Sequence, residues 1–179
     1  MKFTALDLAG AFRIELEPAS DERGFFARTW SAQEFETHGL NGEFVQCSIS
    51  FNRHRGTIRG LHFQVAPHEE AKLIRCSRGA VFDIIVDLRS TSPTFRRWRA
   101  AELSALNGVS IYVPEGFAHG FQSLRDDTEV FYQISTVYAP EAARGIRWDD
   151  PGLGIDWPIK NPTLSERDRS HPLLAPERC

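Results

Sequence analysis

The sequence predicts an all-β fold, an antiparallel sandwich or barrel, organised as one domain. Short runs of apolar and β-branched residues are separated by turn residues at close intervals, as expected for antiparallel strands. The chain also contains no internal repeat, low-complexity tract or Gly/Ser linker. With 179 residues, 41% of them hydrophobic and 25% charged, it has the composition of one globular domain with a single core. We therefore expect one domain over residues 1–179.

Helical signals are few. One helix should begin at Ser31, because Ser31 and Glu34 have capping-box spacing, and it should end at Gly39. A second, short helical turn is expected at residues 140–143. From about residue 158 the chain is rich in Pro, Ser and charged residues, which predicts a tail that wraps the domain or forms a lid.

Three runs are the clearest strands: residues 80–88, 109–113 and 129–138. Alternate side chains of a strand share a face, so Tyr132 and Tyr138 are expected on the same side of the last run. The two tyrosines can therefore line one cavity.

The same period-two argument applies to the basic residues of two further strands. Lys72 shares its face with the apolar Ile74, and an inward lysine is costly unless it is paired or catalytic. Arg59 and His62 are three residues apart, so their side chains would face opposite sides of a regular strand. Both can face one pocket only if Gly60 interrupts the strand.

Net charge and cysteine content exclude several classes of protein. The formal charge of −3 and the pI near 6.1 give no overall attraction to nucleic acid or to an anionic membrane. The N-terminus lacks a continuous apolar stretch and no later segment reaches membrane-spanning length, so we expect a cytoplasmic protein. Cys47, Cys76 and Cys179 fit neither a disulfide framework nor a zinc site. Cys47 and Cys76 are expected to be small buried apolar residues.

The histidine motifs predict a β-barrel in which a bound metal is disfavoured. Gly108, Pro114, Gly116 and His119 have the spacing of the second of two metal-binding motifs in cupin-type barrels. The first motif requires two histidines separated by one residue, whereas this chain has His62-Phe63-Gln64, with a glutamine in place of the second histidine. A carboxamide is a poor ligand for transition metals compared with imidazole, so we expect no metal and no cofactor.

The polar residues on these strands are instead those needed for proton transfer. His62 offers a base, Tyr132 a phenolic acid, and Arg59, Lys72 and His119 further polar or cationic groups. This is the set required to remove and return a proton beside a carbonyl group.

Four segments, taken together, resemble a known family. They are residues 21–26 (Asp-Glu-Arg-Gly-Phe-Phe), 59–64 (Arg-Gly-Leu-His-Phe-Gln), 114–121 (Pro-Glu-Gly-Phe-Ala-His-Gly-Phe), and 148–158 with its Trp-Asp-Asp-Pro and Gly-Ile-Asp-Trp-Pro sequences. The chain resembles the dTDP-4-dehydrorhamnose 3,5-epimerase family of RmlC-like cupins over about residues 21–168. The resemblance implies a metal-free cupin jelly roll, or double-stranded β-helix, with a few short helices. It also implies epimerisation of a nucleotide-linked 4-keto-6-deoxyhexose beside its ketone.

The resemblance assigns four catalytic roles. His62 is implied as the base and Asp168 as the carboxylate that fixes its tautomer. Tyr132 matches the proton donor on the opposite face of the sugar. Lys72 matches the lysine beside the ketone oxygen, where a fixed positive charge stabilises an enolate.

The resemblance also implies the substrate-binding residues, which are Arg23, Phe26, Gln46, Ser48, Arg59, His119 and Tyr138. Two arginines, Arg23 and Arg59, are implied on the diphosphate, and Phe26 and Tyr138 flank the nucleobase. His119 would line the sugar pocket.

Ser48 marks a departure from the family. Many members have Gln-Asp-Asn-His where this chain has Gln-Cys-Ser-Ile at residues 46–49. A hydroxyl cannot reproduce the paired donor and acceptor of the amide, so thymine is expected and cytosine stays open. Epimerisation at both flanking carbons or at only one also stays open.

The resemblance further implies a homodimer that exchanges N-terminal strands. An isologous dimer is the commonest soluble assembly, and Arg23 and Phe26 would then serve the partner's site.

Simpler interpretations compete for the same residues. On the residues alone, Asp168 is more typical of a solvated tail, Tyr132 could be a core aromatic, and Arg23 and Arg59 could be surface cations. Two other functions also remain: a metal-dependent cupin oxygenase using His62, His119 and a carboxylate such as Glu69, and a non-catalytic sugar-nucleotide binder or ketoisomerase relative. Metal analysis separates the first from an epimerase, and substitution of His62 separates the second.

Overall fold

The computed structural model describes residues 1–174, so Cys179 lies outside the described part of the chain. Strand formation dominates, as the sequence predicts. The strands are β1 (Lys2–Ala5), β2 (Phe12–Glu15), β3 (Ala19–Asp21), β4 (Gly24–Phe26), β5 (Gln46–Asn52), β6 (Ile58–Gln64), β7 (Lys72–Arg78), β8 (Ala80–Asp87), β9 (Trp98–Ser104), β10 (Ser110–Val113), β11 (Phe117–Ser123), β12 (Thr128–Ile134) and β13 (Ala143–Gly145), and the helices are α1 (Ala32–Thr37) and α2 (Glu166–Ser170).

Two large antiparallel sheets form the jelly roll. One has the strand order β1-β2-β10-β7-β12-β5 and the other β13-β6-β11-β8-β9. Within the described residues 1–174, β3 and β4 pair only with each other. The core lies between the large sheets, because one buried cluster combines Ile74 and Val130 of the first with Ile85 and Phe121 of the second.

Each sheet is also covered on its outer face. Phe35 of α1 is fully buried against Leu73 and Tyr112 of the six-stranded sheet. Trp157 and Leu153, from the segment before α2, pack with outward residues such as Ile84 on the other sheet. The segment that leads into the predicted tail therefore packs on the outer face of the barrel.

The predicted helix is present, but its predicted capping box is not. Ser31 is the N-cap of α1 without a side-chain hydrogen bond. The Glu34 carboxylate instead pairs with the N-terminal ammonium of Met1 at 2.8 Å and with Arg28 at 3.2 Å. These two positively charged groups bind the Glu34 carboxylate, so it does not form the capping box with Ser31. Gly39 follows the helix with a φ of +67°.

Three smaller expectations were wrong. Residues 140–142 form a turn that leads into β13 rather than a helix. The strand predicted at residues 129–138 ends at Ile134. Cys47 is exposed, because it lies on β5 at the edge of its sheet, whereas Cys76 is buried as expected. Within residues 1–174, no helix is long and apolar enough to cross a membrane.

Candidate active site

A cavity of about 440 Å³ is lined by side chains of β5, β6, β7, β11, β12 and the C-terminal helix α2. It brings together most of the residues singled out from the sequence. The predicted site residues that line it are Gln46, Ser48, Arg59, His62, Lys72, His119, Tyr132 and Tyr138.

His62 and Asp168 form a hydrogen-bonded pair across a separation of 106 residues. His62 Nε2 lies 2.5 Å from Asp168 Oδ1, so the imidazole and the carboxylate are hydrogen-bonded. Asp168 is buried, and its other carboxylate oxygen accepts a hydrogen bond from the Ser165 hydroxyl at 2.9 Å. Ser165 is also the N-cap of α2 and accepts from the Asp168 amide at 3.1 Å. The tail therefore supplies a fixed carboxylate to a histidine on β6.

The charge state of Asp168 follows from these contacts. Burial raises the pKa of Asp168, but the hydrogen bond to His62 and the positive charge that His62 acquires on protonation oppose it, and the pKa falls below its usual value. The carboxyl group is therefore ionised at neutral pH. An ionised carboxylate on Nε2 leaves Nδ1 as the nitrogen that can accept a proton.

His119 lies beside His62 on the neighbouring strand, in direct register. Its Nε2 is 2.7 Å from Oδ1 of the buried Asp83 on β8. The Tyr132 ring meets the His119 ring edge to face, with 5.9 Å between centroids. Tyr132 and His62 line the cavity from different sheets, because β12 belongs to the six-stranded sheet and β6 to the five-stranded one.

Tyr132 is held in its protonated form. Burial, reinforced by the negative charge of Asp83, raises the pKa of the Tyr132 hydroxyl well above its ordinary value. The phenol is therefore available as a proton donor.

Lys72 has a carboxylate partner that the sequence did not reveal. Both Lys72 and Glu70 line the cavity, their side chains are about nine-tenths buried, and Lys72 Nζ lies 2.8 Å from Glu70 Oε1. This pair explains how a lysine can face inward beside the fully buried Ile74.

Gly60 allows Arg59 and His62 to reach the same cavity. It has a φ of +131°, and the pairing of β6 with β11 shifts register at this point. A Cβ atom on Gly60 would lie 2.5 Å from the Cα of Gly120, so the strands could not approach as closely with any other residue. Arg59 is then held by a 2.8 Å hydrogen bond from its Nε to Asn52 Oδ1.

The edge strand β5 contributes Gln46 and Ser48 to the cavity. Gln46 Oε1 accepts a hydrogen bond from the Tyr138 amide at 3.2 Å, which ties the loop after β12 to this edge. Tyr138 therefore lines the same cavity as Tyr132, as predicted, although the strand has already ended.

Arg23 and Phe26 do not reach the cavity of their own chain. They lie on the β3–β4 hairpin, where Phe26 is 79% exposed and Arg23 pairs only with Asp21 of the same hairpin among residues 1–174.

The ligand set considered above for an oxygenase, His62 with His119 and Glu69, is not assembled in residues 1–174. His119 is engaged by Asp83, and Glu69 does not line the cavity. Gln64, which replaces the second histidine of the metal motif, accepts from the Ala139 amide at 2.6 Å and donates to the His68 carbonyl at 2.9 Å, so its amide holds two loops together.

Some residues of the site were missed by sequence reasoning. Arg144 on β13 and Arg167 on α2 line the cavity and add two positive charges to it. His171, just after α2, lies with its Nε2 3.7 Å from Asp168 Oδ1, and burial together with the charge of His62 lowers its pKa. Arg167 lies one residue before Asp168 and His171 three residues after it. This closeness to a predicted site residue is the one feature of the sequence that could have indicated them.

Comparison with known proteins identifies the family. The family model for dTDP-4-dehydrorhamnose 3,5-epimerase matches residues 5–176. A dTDP-4-dehydrorhamnose 3,5-epimerase from Sinorhizobium fredii is 43% identical over 175 residues, which is 97% of this chain and 90% of the relative.

Solved structures agree with this match. A dTDP-4-dehydrorhamnose 3,5-epimerase from Bacillus anthracis with TDP and PPi bound superposes with a TM-score of 0.94 at 43% identity, over 97% of this chain and 99% of that one. A 3′-monoepimerase from Streptomyces bikiniensis in complex with dTDP-quinovose gives 0.87 at 35% identity, over 94% and 85% of the two chains. On the family match and the relatives' identity and coverage, this chain belongs to the dTDP-4-dehydrorhamnose 3,5-epimerase family, a family of isomerases with a cupin-type jelly roll.

Proposed function

We propose that this protein converts dTDP-4-keto-6-deoxyglucose into dTDP-4-dehydrorhamnose by inverting carbons 3 and 5, without a metal. The observation that carries the proposal is the His62–Asp168 pair on one side of a cavity whose other side presents a protonated Tyr132. Epimerisation beside a ketone requires a base and an acid on opposite faces of the same carbon.

Each inversion begins when His62 Nδ1 removes the proton from the carbon next to the ketone. The electron pair of the C–H bond moves to the ketone oxygen and forms an enolate. The Lys72 ammonium stabilises the negative oxygen, and Glu70 holds the ammonium in place. Asp168 stabilises the imidazolium that forms on His62.

Tyr132 completes the inversion by donating its hydroxyl proton to the opposite face of the enolate carbon. The products of this step are the inverted centre, a tyrosinate and a protonated His62. Transfer of the extra proton from His62 to Tyr132 through solvent restores both groups, so no proton is gained or lost over the cycle. The raised pKa of Tyr132 favours its return to the neutral phenol.

The remaining residues bind the substrate in this proposal. Arg59 contacts the diphosphate, with Arg144 and Arg167 adding positive charge at the same cavity. His119 contacts the sugar. Gln46, Ser48 and Tyr138 contact the nucleobase, which we take to be thymine because similar family structures bind thymidine nucleotides.

We further infer a homodimer in which the β3–β4 hairpin reaches into the partner's cavity. Phe25 and Phe26 of the hairpin are 66% and 79% exposed, which is unusual for two adjacent large apolar side chains. The edge strand β5 also exposes Ile49 beside the cavity. An exchange of this kind would bring Arg23 and Phe26 to the substrate of the other subunit.

The same proposal includes one domain over residues 1–179 and a cytoplasmic location, where nucleotide-activated sugars are made. The continuous family match over residues 5–176 and the tail's contribution of Asp168 to the β6 histidine support a single unit.

Reduction of the reaction product with borohydride tests the reaction directly. Double inversion gives rhamnose and 6-deoxytalose after hydrolysis, whereas inversion at carbon 3 alone gives 6-deoxyallose and 6-deoxygulose. Recovery of only 6-deoxyglucose and fucose, the reduction products of unchanged substrate, would contradict the proposal. Parallel incubation with the CDP-linked sugar tests the choice of nucleobase.

A further inference from the structure

His171 adds a third donor atom to the His62–Asp168 pair. It lies directly after α2, and its ring meets the His62 ring edge to face, with 5.4 Å between centroids. Its Nε2 is 3.7 Å from Asp168 Oδ1, is inaccessible to solvent and has no hydrogen-bond partner among residues 1–174. A buried imidazole nitrogen without a hydrogen bond needs an explanation.

The three side chains have the composition and spacing of a metal site. His62 Nε2, Asp168 Oδ1 and His171 Nε2 all lie within 4.8 Å of one another. Ligand atoms bound to one zinc ion at about 2.0–2.2 Å are roughly 3.4 Å apart in tetrahedral geometry. The 3.7 Å separation of His171 from Asp168 is close to this value, and the 2.5 Å separation of His62 from Asp168 must widen by less than about 1 Å. The His62 and His171 nitrogens lie within 4.8 Å of each other, and their separation must also come near this value.

We propose that His62, Asp168 and His171 bind a divalent transition-metal ion such as Zn²⁺, and that this ion inhibits the enzyme. The ion takes the place of the proton between His62 Nε2 and Asp168 Oδ1, and that proton is released on binding. Two imidazoles and one carboxylate form a donor set that such ions favour. The inhibitory consequence, unlike the binding, rests on the proposed function.

Two of the three donor side chains belong to regular secondary structure, and the third follows directly after α2. Asp168 is fixed by the Ser165 cap, and His62 lies within β6. The His171 ring occupies the space above Gly145, where a Cβ atom would collide with Nε2. His62 lines the cavity, so the ion would lie beside it, on the Nε2 side of the imidazole and away from Nδ1.

A bound ion would remove two features that the proposed reaction needs. Asp168 could no longer accept the Nε2 proton, and a positive ion on the imidazole would lower the basicity of Nδ1. The ion would therefore act as an inhibitor rather than a cofactor.

Zinc titration of the metal-depleted, full-length protein tests the binding. The measurement is competition with a chromophoric chelator, supported by the absorption spectrum of Co²⁺ at the same site. We expect saturable binding, and we expect His171→Gln to weaken it by more than the roughly 10–100-fold that follows loss of an outer-shell partner. His54→Ala, at an exposed histidine, is the matched control and should bind as the wild type does.

Two results would overturn the metal site. One is the absence of saturable binding up to about 100 µM zinc, which would mean that the dissociation constant exceeds this concentration and that the site binds zinc too weakly to be specific. The other is unchanged affinity in His171→Gln, which would assign the ion to another group such as the exposed Cys47. Circular dichroism establishes that the variant is folded, and His171→Ala replaces it if it is not.

The inhibition is measured as turnover against zinc concentration, with each variant compared with its own metal-free rate. We expect wild-type turnover to fall as the site fills and His171→Gln to resist. Zinc binding through His171 with undiminished turnover would reject the inhibitory role. Absence of turnover in the metal-free wild type would reject the proposed function while leaving the metal site in place.

Discussion

At the scale of single residues, the site depends on contacts between positions far apart in the sequence. Asp168 is separated from His62 by 106 residues, yet the two side chains are 2.5 Å apart. Burial of the carboxylate and its capped helix fix this geometry. A residue that composition alone would assign to a solvated tail therefore becomes a candidate catalytic group.

Asp168→Asn tests this contact. The amide keeps the shape of the side chain but cannot stabilise the imidazolium, so we expect kcat to fall by about 10²–10⁴-fold with the fold intact. Steady-state kinetics and circular dichroism provide the measurement. Asp156→Asn, at an exposed aspartate, is the control and should leave kcat unchanged. Equal turnover in Asp168→Asn and wild type would remove Asp168 from the mechanism.

Tyr132→Phe separates proton removal from proton return. Without the phenol, His62 can still form the enolate. We therefore expect the rate of hydrogen exchange between substrate and solvent to fall less than the rate of epimerisation. NMR in heavy water measures both rates in one sample. Tyr112→Phe, at a buried tyrosine that does not line the cavity, should leave the ratio of the two rates unchanged. If both processes fell equally in Tyr132→Phe, the donor role would be wrong.

The sequence indicated which side chains face the cavity better than it indicated which residues they contact. His62, Lys72 and Tyr132 could be named because strand parity and motif resemblance indicate which side chains face inward. Glu70, Arg144 and His171 could not, because their roles depend on which loops and strand ends meet. The position of the tail relative to β6 is a tertiary property that no local pattern encodes.

At the scale of elements, the close approach of β6 and β11 positions the site. Gly60 and Gly120 face each other where the strands pair, and this contact leaves no room for a Cβ atom. The sequence suggested an interruption at Gly60 from the parity of Arg59 and His62, and the structure confirms it.

Gly60→Ala tests the approach of the two strands. A side chain at this φ is strained by about 1–3 kcal/mol, and the contact with Gly120 adds to that cost. Gly24→Ala is the matched control, since Gly24 has a φ of +133° and no atom of residues 1–174 of its own chain lies within 4 Å of the point that its Cβ would occupy. We expect Gly60→Ala to lower the free energy of unfolding more than Gly24→Ala and to reduce kcat. Equal destabilisation in urea denaturation would show that the strand contact contributes nothing beyond backbone strain.

Elements at the margins were predicted less well. The capping box at Ser31 failed because Glu34 binds the N-terminal ammonium and Arg28 instead. The helical turn at residues 140–143 became a turn leading into β13, because β13 pairs with β6. In both places a long-range partner outweighed the local preference.

At the scale of the whole molecule, the cavity of one chain brings together most of the predicted site residues but not Arg23 and Phe26. The hairpin carrying Arg23 and Phe26 projects away from its own cavity, and its aromatic side chains are exposed. Sequence resemblance implied that the partner subunit uses these residues. The assembly itself depends on surfaces whose complementarity cannot be derived from a strand pattern.

Mixed dimers test this assembly. His62→Asn and the double variant Arg23→Ala, Phe26→Ala should each have low activity alone, because each lacks one half of the site. Random mixing should restore about a quarter of wild-type activity. About half of the dimers are then mixed, and one of the two sites in each mixed dimer is intact. Differently tagged, co-expressed subunits establish that mixed dimers have formed. Mixed dimers without recovered activity would mean that the hairpin does not serve the partner's site.

Deuterium incorporation from heavy water into dTDP-4-keto-6-deoxyglucose, followed by NMR, tests the proposed proton transfers most directly. We expect exchange at carbons 3 and 5 that requires His62 and persists in metal-depleted protein. Exchange at one carbon would redefine the protein as a mono-epimerase of the same family. Absence of exchange at both carbons would contradict the proposed chemistry while leaving the family assignment in place.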